Sequence, residues 1–230
     1  MKELLDKIKE RGYWKIIIRP TNYFEDMIES TDVAEELIKK YKVRLRGWDY
    51  PHIDSSGIQL ASTNSISSFC DWPQGPMFEY WRFYQTGQFV HYLALREDLR
   101  IDAAKIKEFQ EECGVQSERF LSVLNTIYTI TEIFEFSRRL FGELDKAEGA
   151  EIIVELHNAN DRTVVFWDTF GRWLAGAYTC RFPEGVVPAR KVVDKKALLT
   201  NSNELALDVA FDIFKAFNWK NPNRDIFRED

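Results

Sequence analysis

The sequence predicts an α+β fold: a largely antiparallel sheet built from hairpins, packed around a long apolar central helix with additional flanking helices. Strand-like runs come in pairs around turn residues, and helical runs come in separate blocks rather than alternating with single strands. One stretch, from Ser117 to about Leu144, is apolar around most of its circumference, as a helix in the middle of a domain must be.

Taken in order, residues 2–11 place Leu4, Leu5 and Ile8 on one helical stripe that stops at Gly12. Tyr13–Arg19 is rich in β-branched and aromatic residues and ends at Pro20, which reads as a strand. Phe24–Lys40 returns to helical spacing. Val43–Trp48 alternates as a second strand, with Val43 and Leu45 on one side and Lys42, Arg44 and Arg46 on the other. Pro51, Gly57, Pro73, Gly75 and Pro76 punctuate the next segment, leaving short strands at Gly57–Ala61 and Ser65–Cys70. The clearest hairpin follows: Phe78–Gln85 and Gln88–Leu95 flank Thr86-Gly87.

Ile101–Cys113 reads as a helix closed by Gly114, and Ser117 as the cap of the long apolar helix. A charged link follows. We expect a single domain over residues 1–230, with a sub-division weighed near 146–150. Glu151–His157 and Thr163–Trp167 read as a second hairpin, Trp173–Phe182 as a third strand of that group and Val186–Val193 as a further one. A helix over Ser202–Phe217, capped by Ser202 or Asn203, closes the chain before a polar tail.

Composition excludes several classes. The 17 Phe, 9 Tyr and 7 Trp in 230 residues demand a large core or a partner surface for their rings. A net charge of −6 repels a polyanion globally, so nucleic-acid contact requires a local basic patch. Cys70, Cys113 and Cys180 are odd in number and widely spaced, which is no disulfide framework and no zinc-binding spacing. Each reads as a small buried hydrophobe. No secretory leader and no membrane-length apolar run is present, which points to the cytoplasm and to no membrane partner.

Motifs for chemistry are sparse. Phosphate-binding glycine loops and the nucleophile elbow are absent, and no cofactor is expected. His52, His91 and His157 form no helical pair, so a metal site would have to be assembled from distant segments; none is assigned. Asp194-Lys195-Lys196 supplies only part of a metal-dependent nuclease pattern. Glu132 and Glu135 are three apart on the long helix, followed by Arg138 and Arg139. They are either a proton-transfer pair or, more simply, a helical ion pair through Glu135. Glu132 lies among apolar neighbours and requires a partner if enclosed.

The densest local feature is Lys39 to His52. On a strand, Lys42, Arg44 and Arg46 would repeat at roughly 6.6 to 7 Å, the phosphate spacing of an extended nucleic-acid strand. Trp48 and Tyr50 would then be available to stack on a base, with His52 beside them. The competing reading is a solvated face neutralised by Asp32, Glu35 and Glu36. Trp72 and Trp81, with Glu132, form a second candidate site, an aromatic pocket.

Gly12-Tyr13-Trp14, Arg19-Pro20, Val43 to His52, Thr131 to Phe136 and Phe217-Asn218-Trp219 together resemble a bacterial family of uncharacterised proteins, some of them associated with AlbA-type candidate DNA-binding modules. The resemblance implies a bacterial source and a partner that handles nucleic acid, and carries no assigned activity. The leading expectation is a non-enzymatic binding or interaction protein that contacts nucleic acid, or another anionic or protein partner, through Lys42, Arg44 and Arg46. The alternatives are a hydrolase or nuclease with a dispersed acid and histidine site, and a small-ligand sensor.

Overall fold

The computed structural model describes residues 2–72, 77–167, 174 and 176–224. It is an α+β fold with six helices among these residues and a seven-stranded antiparallel sheet. Its strands are β1 (Tyr13–Pro20), β2 (Gln59–Ser62), β3 (Ser65–Trp72), β4 (Met77–Tyr84), β5 (Phe89–Ala94), β7 (Gly149–His157) and β9 (Val186–Asp194), in the order β2-β3-β4-β5-β1-β7-β9. Strands from both sides of residues 146–150 share it, because β1 pairs with β5 on one edge and β7 on the other.

Alternation decides the faces. Trp14, Ile16 and Ile18 of β1 point into the main core with Trp81 and Phe83 of β4, Phe89 of β5 and Ile152, Val154 and Leu156 of β7. Helices α2 (Thr31–Tyr41), α5 (Val123–Glu143) and α6 (Lys195–Ala216) cover that face. On the opposite face α1 (Lys2–Lys9) buries Leu4 and Ile8 against Tyr13, Phe78 and Ala94, using the stripe read from the sequence. Short helix α3 (Glu97–Arg100), α4 (Ala103–Cys113), and the two-stranded parallel pair β6 (Phe120–Ser122) and β8 (Thr163–Val165) complete the architecture.

Several boundaries differ from the sequence reading, each for a local reason. The helix expected from Phe24 begins at Thr31, because Ser30 caps Val33 N–H at 3.2 Å and Ile28 N–H bonds the Gln85 carbonyl instead. Ser122, not Ser117, caps α5. Residues 120–122 pair with β8, and the Ser117 hydroxyl bonds the Asp161 carbonyl at 2.5 Å. Thr163–Trp167 forms no hairpin with β7, whose two edges are already taken by β1 and β9. Of the strand expected at Trp173–Phe182, part lies outside the described residues, and the rest holds one bridge, Thr179 to Thr163. The last helix starts earlier, at Lys195, and kinks at Asn201; Asp194 caps it by accepting from Ala197 N–H at 2.8 Å, which is what the Asp-Lys-Lys triplet does.

The largest correction concerns Val43–Trp48. It is a loop closed by a single bridge between Val43 and Tyr50, with Gly47 in the left-handed region at φ 88°. Acids reshape it. Asp49 binds Lys42 Nζ at 2.6 Å and lies 3.4 Å from Arg44 Nε, and Glu132 draws Arg46 into the protein. Lys42, Arg44 and Arg46 therefore form no row of cations at strand spacing.

Candidate ligand-binding cleft

Strand registers bring the start of β1, the ends of β3 and β5 and the start of β4 to one end of the sheet. The loop 49–58 and helix α3 lie over this end, and a cleft of about 600 Å³ opens between them. Its walls are Trp48, His52, Asp54, Cys70, Trp72 and Met77, with Arg96 and Arg100 at the flank of α3. That volume suits a small organic ligand.

Helix α3 sorts its charges by direction. Glu97 is buried and accepts from Ser122 N–H at 2.9 Å and from Asn125. Burial pushes its carboxyl up, against the hydrogen bonds that favour the anion. Asp98 accepts from Gly12 N–H at 2.7 Å and holds Arg162, a fully buried guanidinium. Both acids are therefore engaged by partners other than the arginines of this helix. Arg96 and Arg100, one helical turn apart, face the cleft, and neither has a hydrogen bond or carboxylate partner among the described residues. Arg96 lies 3.8 Å over the Trp48 ring, a cation–π contact that fixes its position. Its pKa is lowered to about 10, first by burial and then by repulsion from Arg100 and Arg46. It stays charged at neutral pH, and the cleft lining carries Asp54 and Asp71 as well as the two arginines.

At the other wall, His52 is clamped through its backbone: its N–H donates to Glu79 Oε1 at 3.1 Å and its carbonyl accepts from Trp81 Nε1 at 2.6 Å. Asp54 forms the turn that follows, with Gly57 N–H on its carbonyl at 2.8 Å and its carboxylate accepting from Ser55 and Ser56. Ser68 of β3 ties this turn to the sheet through the Gly57 carbonyl at 2.9 Å. The result places donor atoms of His52, Asp54 and Cys70 within 4.8 Å of one another. Burial, then Glu79, Asp54 and Asp71, pushes the Cys70 thiol up to about 12. It is no free thiolate nucleophile at neutral pH.

Residues singled out from the sequence thus separate. Trp48, His52 and Trp72 line the cleft, and Trp72 is 54% exposed. Trp81 does not; it is fully buried beneath His52. Tyr50 is buried, its hydroxyl 3.3 Å from His91 Nδ1, and burial, with Glu132 and Glu79, holds its pKa well above the ordinary value. Glu132 is 0% exposed and has the partner its burial requires, a two-pronged pairing with Arg46, which also donates to Thr129 Oγ1 at 3.2 Å. Burial raises its pKa and Arg46 opposes the rise. The void beside Arg46 and Thr129 is about 30 Å³, so little space adjoins the pairing. Glu135 binds Arg138 and Arg139 at 2.7 and 2.6 Å, the helical ion pair expected from spacing. His91 is buried 3.4 Å from Glu79 without an aligned hydrogen bond, and His157 stacks on Tyr13 and meets Glu155 at 3.0 Å.

Sequence reasoning missed Arg96, Arg100, Asp54 and Cys70 as cleft residues. A signal for the arginines existed: they are four apart, with Glu97 and Asp98 directed elsewhere around the same turn. No spacing announced Asp54 with Cys70.

The chain is an α+β protein with a cleft flanked by Arg96 and Arg100 and walled by Trp48 and Trp72. Compared with known proteins, the chain matches no protein family, no curated protein and no solved structure. Among the described residues, no helix is long and apolar enough to cross a membrane.

Proposed function

We propose that this chain is a non-enzymatic binding protein for a small organic anion carrying a planar ring, held in the cleft by Arg96 and Arg100 and stacked on Trp72. The observation that carries this reading is the pair of arginines without acid partners among the described residues, facing a cleft with an exposed tryptophan. Guanidinium groups suit carboxylates and phosphates because their donors match two oxygens at once. An indole face accepts any ring of similar size. The cleft is large enough for one such molecule, and Asp54 adds an acceptor for a ring N–H or hydroxyl. Against an enzyme, the buried acid with its arginine is enclosed and the cleft thiol is protonated.

Tryptophan fluorescence of the full chain tests this. Titration with adenosine monophosphate and with benzoate is expected to quench emission saturably for at least one of them. Uncharged adenosine and benzamide are expected to bind at least tenfold more weakly. Equal binding of charged and uncharged partners, or binding that survives Arg96→Ala/Arg100→Ala, would overturn the proposal.

A further inference from the structure

We propose that His52, Asp54 and Cys70 form a binding site for a divalent cation of the zinc class at the floor of the cleft. An imidazole nitrogen, a carboxylate oxygen and a sulfur are a zinc donor set, and the sulfur disfavours magnesium or calcium. The three donor atoms lie within 4.8 Å of one another. Tetrahedral coordination needs separations of roughly 3.4–3.8 Å, so contraction by about 1 Å through side-chain rotation closes the site.

Three further observations point to a cation. His52 Nδ1 is buried and lacks a hydrogen-bond partner, a state that costs free energy and that a metal bond would relieve. The donors are already oriented: His52 by Glu79 and Trp81, Asp54 by Ser55 and Ser56, and Cys70 by its place in β3 opposite Glu79. Glu79, Asp54 and Asp71 lie near the sulfur with negative charge that a cation would offset, and binding exchanges the Cys70 S–H bond for a metal–sulfur bond, its proton leaving to solvent. Asp71 lies outside this donor cluster and pairs with Lys7 at 2.6 Å. Three protein ligands leave a coordination position, and all three residues line the cleft, so water or a ligand donor completes the shell. The site does not depend on the arginine reading, since its probe is the metal alone.

The test is a titration of chelator-treated full-length protein with Co²⁺, followed by absorbance. One equivalent is expected to produce a thiolate-to-cobalt charge-transfer band in the near ultraviolet and visible bands of tetrahedral intensity, both removed by Zn²⁺. Cys70→Ser is expected to abolish the charge-transfer band, and His52→Gln to weaken binding tenfold or more. Cys113→Ser/Cys180→Ser is expected to leave the spectrum unchanged. Because Cys70 is buried, circular dichroism checks that its variant folds; His52 is only partly buried, so His52→Gln decides the matter if Cys70→Ser does not fold. Absence of a thiolate band at stoichiometric Co²⁺, a band retained in folded Cys70→Ser, or full affinity in His52→Gln would each overturn the proposal. A cobalt site that persists in Arg96→Ala/Arg100→Ala while anion binding is lost separates this inference from the ligand-binding one.

Discussion

Two arginine-bearing segments lie near one another and behave oppositely. In the loop 42–50, three of nine residues are the cations Lys42, Arg44 and Arg46, and each is paired with an acid, the first two with Asp49 and the third with Glu132. In 96–100, the two arginines flank two acids in sequence, yet those acids bind Ser122 and Arg162 and the arginines face a cleft. Cationic density therefore does not measure cationic availability. What matters is whether folding supplies an acid at the right distance. The same contrast holds at the opposite end of the strands, where Arg19 and Arg190 border a second cleft of about 490 Å³ but both close on Glu151.

Substitutions can break or sharpen this comparison. Arg46→Ala is expected to cost about 3–5 kcal/mol in urea unfolding, because it strands the Glu132 carboxylate in the core. Arg46→Met/Glu132→Leu is expected to recover most of that loss; a cheap Arg46→Ala would mean the pair is not holding the loop. Gly12→Ala is expected to cost about 3 kcal/mol, since its new methyl overlaps the Arg162 guanidinium and disrupts the buried pair with Asp98. Its melting temperature compared with wild type checks this.

Arg96→Ala/Arg100→Ala inverts the pattern: near wild-type stability, but anion affinity down tenfold or more, about 1.4 kcal/mol. If it unfolds the protein instead, the two segments do not differ as described. Glu135→Gln gives a smaller and pH-dependent effect. The Arg138 guanidinium, with Arg139, holds the Glu135 carboxyl below its ordinary value against partial burial. The stability it contributes is present above its unfolded pKa of about 4.3 and is lost as pH falls through the lower folded value. Both arginines are over a third exposed, so the cost at pH 7 is expected to stay under about 1 kcal/mol, and the gap to wild type to close in acid denaturation. Arg44→Ala is the mildest: Arg44 is 68% exposed, and a change of about 0.5 kcal/mol or less, with unchanged anion binding, is expected from chemical denaturation and the fluorescence titration.

Local pattern made much of this protein legible. Alternating apolar residues with Gly87 in the turn were enough to place the β4–β5 hairpin, and β1 is read from its isoleucines. The apolar circumference of α5 announced a buried helix, and Glu132 on it announced a buried partner. The identity of that partner was not legible, because Arg46 lies 86 positions away. Nor was the pairing of β8, which depends on the edges of β7 being occupied already.

By itself, the sequence determined the α+β class, the sides of strands and helices that face the core, and the need to neutralise a carboxylate on α5. These follow from periodicity and desolvation, which act between near neighbours along the chain. Only the tertiary structure decided which cations are consumed and which stay free, and brought His52 and Asp54 beside Cys70. Charge pairing and metal coordination depend on distances of a few ångströms between segments that the linear order leaves far apart.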